Sequence, residues 1–365
     1  MVHGKFFEIQ PVMDKWYPQG IHIYYICGGR GIGKSYSAYD LCRKIGEGTY
    51  SFDPSEEQNK FMYLRRTAVE AESVASPEGN AFKKYNASEG CNITADYSSK
   101  LGFGNWYIDS TVELEDGTKE DIKKHIGYIA SVSTFANLRG VDFSDVQFIL
   151  FDECIPESRY KAPIKREGFL LLNIFETINR NRELLGKPAC VLCMISNPID
   201  LSNAMLSQLN LTPVLSSMIL KGQQRYTDRE RHLHIEKLTN HKVSIEKKNT
   251  VLYQFAKGTG FDDESLSGDF VSNDLSIIKK PVLSEYKPIV TIEDTITLYE
   301  HKSTGKYHIS TSTSPAKYML KVHEKERIKS LFYWKYKLLI LDNAVTFDNY
   351  STKVVLEALI NYKSA

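Results

Sequence analysis

Eight consecutive residues, Gly28-Gly29-Arg30-Gly31-Ile32-Gly33-Lys34-Ser35, carry the chemistry of polyphosphate binding. They satisfy the phosphate-loop pattern G-x-x-x-x-G-K-[ST] at every fixed position. Glycines let the backbone curl so that successive N–H groups point at phosphate oxygens. Lys34 brings positive charge to the outer phosphates, and Ser35 offers a hydroxyl to Mg²⁺. An apolar run over 21–27 precedes the loop and a helix-compatible run over 34–45 follows it, which is the strand-to-helix setting the motif needs. With Tyr36 at the head of that helix, residues 28–36 form the expected nucleotide-binding set, for a nucleoside triphosphate.

A second constellation is Val146-Gln147-Phe148-Ile149-Leu150-Phe151-Asp152-Glu153, an apolar strand ending in two acids. Asp152 is expected to hold Mg²⁺ through water. Glu153 points differently off the strand end and is expected to orient and deprotonate the attacking water. An acid pair after a strand is weak alone. Beside a phosphate loop it is strong, because catalysis needs both halves on neighbouring parallel strands. Glu153 argues for a hydrolase rather than a small-molecule kinase or a switch GTPase, and no guanine-reading N-K-x-D motif is present. A third constellation, Asn179-Arg180-Asn181-Arg182-Glu183, precedes a strand ending Ile195-Ser196-Asn197-Pro198. Arginines here serve as fingers for a γ-phosphate or lie on a solvated, salt-bridged face, and spacing alone favours the latter. Asn197 reads equally as a γ-phosphate sensor or an Asn-Pro turn. Cys190 and Cys193 form a C-x-x-C inside a strand-like run, with no second Cys or His pair at zinc spacing, so packing is the expected role.

These residues must be positioned by a parallel sheet. Strands are expected over 21–27, 61–66, 147–152 and 189–195, alternating with amphipathic helices. A polar segment over about 70–138, with a turn signal at Glu115-Asp116-Gly117, reads as a β-rich excursion from that sheet. The charged stretch 221–234 reads as part of a linker subdomain over 211–244. From 245 onward, alternation over 287–299 and 306–313 about Gly305, then helical runs over 315–340 and 352–362, predicts a second α+β domain. The ATPase domain is thus expected over 1–210.

Composition bounds this picture. Lys and Arg total 46 against 45 acids, so any nucleic-acid contact must come from local patches. Nothing near the N-terminus resembles a signal peptide and no apolar run approaches the ~20 residues of a membrane span, so no membrane partner is expected and the chain reads as soluble and intracellular.

The runs 27–36, 61–66, 148–153, 179–183 and 194–198 together resemble the DNA packaging ATPases of phi29-like tailed phages, in order and spacing over about residues 20–200. These are relatives of large terminase subunits and of ring-forming P-loop translocases with a catalytic glutamate (the ASCE type). The resemblance implies a homomeric, pentameric ring docked on the portal of an empty procapsid, using ATP to drive double-stranded DNA inward. It implies catalytic roles for Glu153, Lys34 and Arg180, the last as a trans-acting finger with Arg182 in reserve. It also implies metal binding by Ser35 and Asp152, phosphate sensing or a neighbour contact by Arg30, and coupling through Ser196 and Asn197. The site of action would be the host cytoplasm, on the procapsid and not in the mature virion, with a structural RNA as a further candidate partner. The C-terminal domain would be an RNase H-like, vestigial nuclease: Glu293 and Asp294 on an expected strand, Asp342 and Asp348 form no acidic cluster in sequence. Lys123 and Lys124 are candidate DNA contacts, beside Lys83, Lys84, Lys100 and Lys119 and, in the linker, Arg225, Arg229 and Arg231; solvated basic faces explain any one of them as well. Two other functions stay open: a non-packaging translocase or helicase, and an ATP-binding scaffold without motor activity.

Overall fold

The structure, a computed structural model, describes residues 6–55, 59–113, 119–138, 140–156, 164, 166–198, 201, 203–239, 242–257, 277–324, 326–331 and 344–360. The chain divides into two units, Met1–Ile199 with Gln223–Val271, and Asp200–Gly222 with Ser272–Ala365. The first unit contains α1 (Gln10–Trp16), β1 (Ile23–Gly28), α2 (Lys34–Glu47), β2 (Lys60–Arg65), α3 (Ala68–Ala75), α4 (Lys83–Glu89), β3 (Ile93–Ser98), β4 (Phe103–Glu113), β5 (Lys119–Ser131), β6 (Val146–Phe151), α5 (Glu167–Asn179) and β7 (Val191–Ser196). After α6 (Ala204–Gln208) and α7 (Thr212–Leu220), which belong to the second unit, the chain returns with β8 (Arg225–Asp228), β9 (Leu233–Leu238), α8 (Lys242–Lys247) and α9 (Val251–Phe255).

Among the described residues, nine strands of the first unit form one sheet, in the order β3-β4-β5-β2-β6-β7-β1-β9-β8. The inner strands β5, β2, β6, β7, β1 and β9 run parallel, flanked by antiparallel neighbours at both edges. The parallel core is apolar for the expected reason: β6 and β7 are buried at every position, as strands covered on both faces must be. Helix α2 packs Ala38, Leu41, Cys42 and Ile45 into the same core as Tyr24 and Ile26 of β1, Tyr63 of β2 and Leu150 of β6. The i, i+3, i+4, i+7 spacing of those four is one helical face.

Three expectations change. Phosphate-loop strand β1 and acid-bearing strand β6 are not neighbours; β7 lies between them. The segment 70–138 does not leave the sheet. Its strand β5 pairs parallel with β2 and extends it, while the expected turn at 115–117 lies outside the described residues. The stretch read as a linker supplies β8 and β9, and β9 pairs parallel with β1. Its sequence, Leu233-His234-Ile235-Glu236-Lys237-Leu238, looks like surface because three polar residues are interleaved. All three are buried, with His234 and Arg225 both bonded to Glu236 at 3.1 and 3.0 Å.

The second unit holds a mixed sheet of β10 (Tyr286–Ile292), β11 (Ile296–His301), β12 (Tyr307–Ser310), β13 (Tyr318–Leu320) and β14 (Val345–Phe347), in the order β13-β10-β11-β12-β14, with α10 (Tyr350–Ile360) against it. The α+β character and the turn at Gly305 match expectation. The helical run predicted from 315 begins instead with strand β13. Asp294 sits in the β10–β11 turn with φ 27° rather than on a strand, and Asp342 lies outside the described residues. The six cysteines are unpaired, and Cys190 and Cys193 are buried, the Cys190 thiol donating to the Val146 carbonyl at 3.0 Å. Among the described residues no helix is long and apolar enough to cross a membrane.

The closeness of α2 to β5 rests on a missing side chain. A Cβ at Gly46 would stand 2.4 Å from Ile126 Cβ and 2.9 Å from its carbonyl oxygen. Gly46→Ala gains about 1 kcal/mol of helix propensity but forces backbone apart at a cost of roughly 1–3 kcal/mol or more. The expected outcome is a lower urea midpoint; an unchanged or raised midpoint would show that α2 yields freely.

Candidate functional site

The phosphate loop leaves β1 at Gly28 and enters α2 at Gly33, whose φ of 106° only glycine adopts easily and whose missing side chain leaves room for Phe6 and the Phe7 carbonyl. Lys34 is 7% exposed. Its ammonium donates to the carbonyls of Gly28 and Gly29 at 2.6 and 2.8 Å and to Asn197 Oδ1 at 3.2 Å. These three acceptors match the three N–H donors of an ammonium. Burial pulls its pKa down to about 8, against the attraction of Cys27, Asp152 and Glu153.

Across β7, Asp152 follows directly on β6. One carboxylate oxygen accepts from Ser35 Oγ at 3.1 Å, and the other from the Tyr39 and Tyr63 hydroxyls at 2.8 and 3.3 Å. A hydroxyl and a carboxylate this close are hard oxygen donors of the kind Mg²⁺ takes, which binds through one or two carboxylates and completes its shell with phosphates and water. The residues therefore fit the ion.

Glu153 follows with φ 52°, a left-handed conformation uncommon for glutamate. Its side chain is half-exposed and its carboxylate meets the Arg65 guanidinium, from the end of β2, at 2.5 Å. Among the described residues, buried Arg65 Nε has no hydrogen-bond partner. Ser196, buried at the end of β7, shares a 2.8 Å hydrogen bond with the Tyr25 hydroxyl. Asn197 thus reaches Lys34 directly, while Ser196 lies behind it in the core.

Lys34, Ser35, Asp152, Glu153, Ser196 and Asn197 line one cleft of about 1140 Å³, together with Arg30, Gly31, Gly33 and Tyr36 of the expected loop set. Tyr36 donates to Glu89 at 2.5 Å. The cleft's other wall is the segment from Phe6 to Gln10, which the sequence reading did not include; Phe7 N–H donates to the Ile32 carbonyl at 2.8 Å. Also missed were Tyr39, Tyr63 and Arg65. Tyr39 could have been found, since it stands five residues after Lys34, near the same helix end.

Arg180 is elsewhere. It follows α5 with φ 43°, and its guanidinium donates to the Val141 carbonyl at 3.0 Å and lies 3.8 Å from Asp142. Val141 and Asp142 precede β6, so Arg180 stands at the end of the parallel strands opposite the phosphate loop. Arg182 is a core residue: it is buried, pairs with Asp53 at 3.0 Å and donates to the carbonyls of Ser144 and Pro188. That removes it as a reserve finger. Lys124 donates to the Glu47 carbonyl at 2.9 Å, satisfying the end of α2, whereas Lys123 is exposed and opposite Asp109.

The family described as "Podovirus DNA encapsidation protein (Gp16)" matches residues 110–347, more than half of the chain. The "DNA packaging protein" of Bacillus phage phi29 is 25% identical over 258 residues, covering 70% of this chain. That match spans 64% of the phi29 protein's length, less than two thirds of it. Among solved structures, "The bacteriophage Phi-29 viral genome packaging motor assembly" superposes with a TM-score of 0.60 at 18% identity, over 98% of this chain and 99% of that one. "The Phi-28 gp11 DNA packaging Motor" gives 0.58 at 17% identity, over 99% of each. Both are likenesses of fold.

The depressed pKa of Lys34 has a measurable consequence. Above pH ~8 part of the empty protein holds Lys34 neutral, and a bound polyphosphate restores the charge, so binding takes up a proton. Calorimetry in two buffers of different ionisation enthalpy should detect uptake at about pH 8.5 and little at about pH 6.5. Uptake equal at both, or retained in Lys34→Met, would assign the proton to another group.

Proposed function

The chain belongs to the podovirus DNA encapsidation protein (Gp16) family, and on that premise we propose that it is an ATP-driven motor subunit that moves double-stranded DNA through a portal into a phage procapsid. The observation that carries the enzymatic part is the meeting of Ser35 and Asp152 at 3.1 Å, with Lys34 and Glu153 lining the same cleft. A polyphosphate in the cradle would meet the loop's N–H groups, and Lys34 would turn from its carbonyl acceptors to phosphate. Ser35 and Asp152 would hold Mg²⁺, whose charge would offset that of the phosphates. Glu153 would take the proton of the attacking water once released from Arg65. Asn197, bonded to Lys34, is the proposed sensor, and Ser196 the link behind it. The same acids argue against a non-catalytic scaffold, which needs no Glu153.

Arg180 is the proposed finger, acting in trans within a homomeric, pentameric ring. Its place at the far end of the sheet supports this, since it stands away from its own cleft. Lys123 is the better of the two DNA candidates, because Lys124 has an intramolecular partner. The second unit is proposed as RNase H-like without cutting activity: Asp348 accepts from Ser310, Thr311 and Thr352, a structural use of the carboxylate. We place the motor in the host cytoplasm on the procapsid, absent from the mature virion, with a structural RNA as a further partner.

Steady-state ATPase assays with and without double-stranded DNA test the reading. Hydrolysis should be stimulated by DNA and fall by ~10²–10⁴ in Glu153→Gln. Mixing a minority of Arg180→Ala subunits into wild type should lower it out of proportion to their share. Indifference to DNA would point to an independent ATPase, and a proportional fall would remove the trans role. Incubated with DNA and Mn²⁺, the protein should leave it intact; Asp294-dependent cleavage would show a working nuclease.

A further inference from the structure

We propose that Lys247 is a further cation of the polyphosphate site, beside Lys34 and Arg30, set at the phosphate loop by α8 to meet the charge that ATP brings. The proposal rests on the ATP-binding reading and extends it, since Lys247 lies 217 residues from Arg30 and belongs to no nucleotide motif.

Its ammonium donates to the Arg30 carbonyl at 2.9 Å. The approach is possible because position 31 has no side chain: a Cβ on Gly31 would stand 2.1 Å from Lys247 Nζ and 3.1 Å from its Cε. Gly31 also has φ 70°, so backbone conformation and space both select glycine there. Helix α8 is held in place from beneath, with Val243 and Ser244 buried at 5% and 3% exposure. The lysine at its end is therefore delivered by a packed element.

The electrostatics point to an anion. Half-buried Lys247 has its pKa lowered by burial and then by Arg30, and it in turn contributes to lowering that of Lys34. Three cations around a loop whose N–H groups are themselves positive repel one another, which lowers the stability of the empty protein. Such a cluster becomes favourable when a polyanion occupies it, and a nucleoside triphosphate is the polyanion this cradle fits. A lysine needed only to brace the Arg30 carbonyl would require a donor, not a charge.

That distinction sets the test, made on the full chain by titrating a fluorescent ATP analogue with Mg²⁺. Lys247→Gln, which keeps N–H donors and loses the charge, should weaken binding about tenfold or more, and Lys247→Met likewise, while Lys247→Arg should retain most of the affinity. Urea midpoints of the Gln and Arg variants at or above wild type would separate this from loss of structure. Should the Met variant fail to fold, the Gln and Arg pair still decides. Gln binding as tightly as wild type overturns the proposal in favour of a brace. If wild type binds no nucleotide, the ATP-binding reading falls with it; if wild type binds, Lys34→Ala does not, and Lys247→Gln equals wild type, only the Lys247 proposal fails.

Discussion

The charge of Lys34, carried into a site where it is 7% exposed, is what the rest of the first unit is arranged around. An ammonium removed from water needs an acceptor for each donor, or it gives up its proton. Two acceptors are carbonyls that the curl of the phosphate loop turns inward, and the third is Asn197 from another strand. The register of β1 against β7, which sets Cys27 beside Ser196, brings Asn197 level with the loop. On the opposite side of β1, Gly28 leaves room for Leu238 of β9. Strand order, register and the close approach at Gly28 thus converge on holding one cation ready, at a pKa depressed to about 8.

The two consecutive acids that follow β6 are held differently. Asp152 is fixed by three hydroxyls, whereas Glu153, in a strained left-handed conformation, is held by the Arg65 guanidinium at the end of β2. One acid is immobilised and its neighbour is on a releasable ion pair. Under the proposed mechanism this is the difference between a metal ligand, which must not move, and a base, which must be withheld until the nucleotide is seated.

Much of this was legible from sequence because it depends on local pattern. The phosphate loop, the apolar strands at 21–27, 61–66, 147–152 and 189–195, and the acid pair are each contiguous, and strand and loop chemistry dictate their residue types. What was not legible depends on pairing across distance. Strand β9 looked like a linker because His234, Glu236 and Lys237 interrupt its apolar residues; partners distant in sequence or on the neighbouring strand, Arg225 on Glu236, Thr227 and Trp16 on His234, make burial tolerable. Arg65 and Tyr63 end a strand that gives no sign of lying beside β6. Arg182 resembled Arg180 in sequence, yet Asp53, 129 residues away, makes it a core residue. Lys247 joins the loop only through a helix that follows the last strand of the sheet.

The position of Arg180 bears on why such a protein would assemble. A parallel strand of six residues rises about 20 Å, and Arg180 and the cradle stand at opposite ends of β6 and β7, a gap no arginine spans. If the finger role is right, the cleft of one copy is incomplete and the missing cation is presented on a different face of the same chain. Two different faces that must meet define a head-to-tail contact, which propagates from copy to copy and stays finite only by closing into a ring. Under that reading closure is a catalytic requirement as well as an architectural one. A subunit left unpaired would keep its Glu153 on Arg65 and its Arg180 on the Val141 carbonyl, able to take nucleotide yet lacking the charge that its transition state needs.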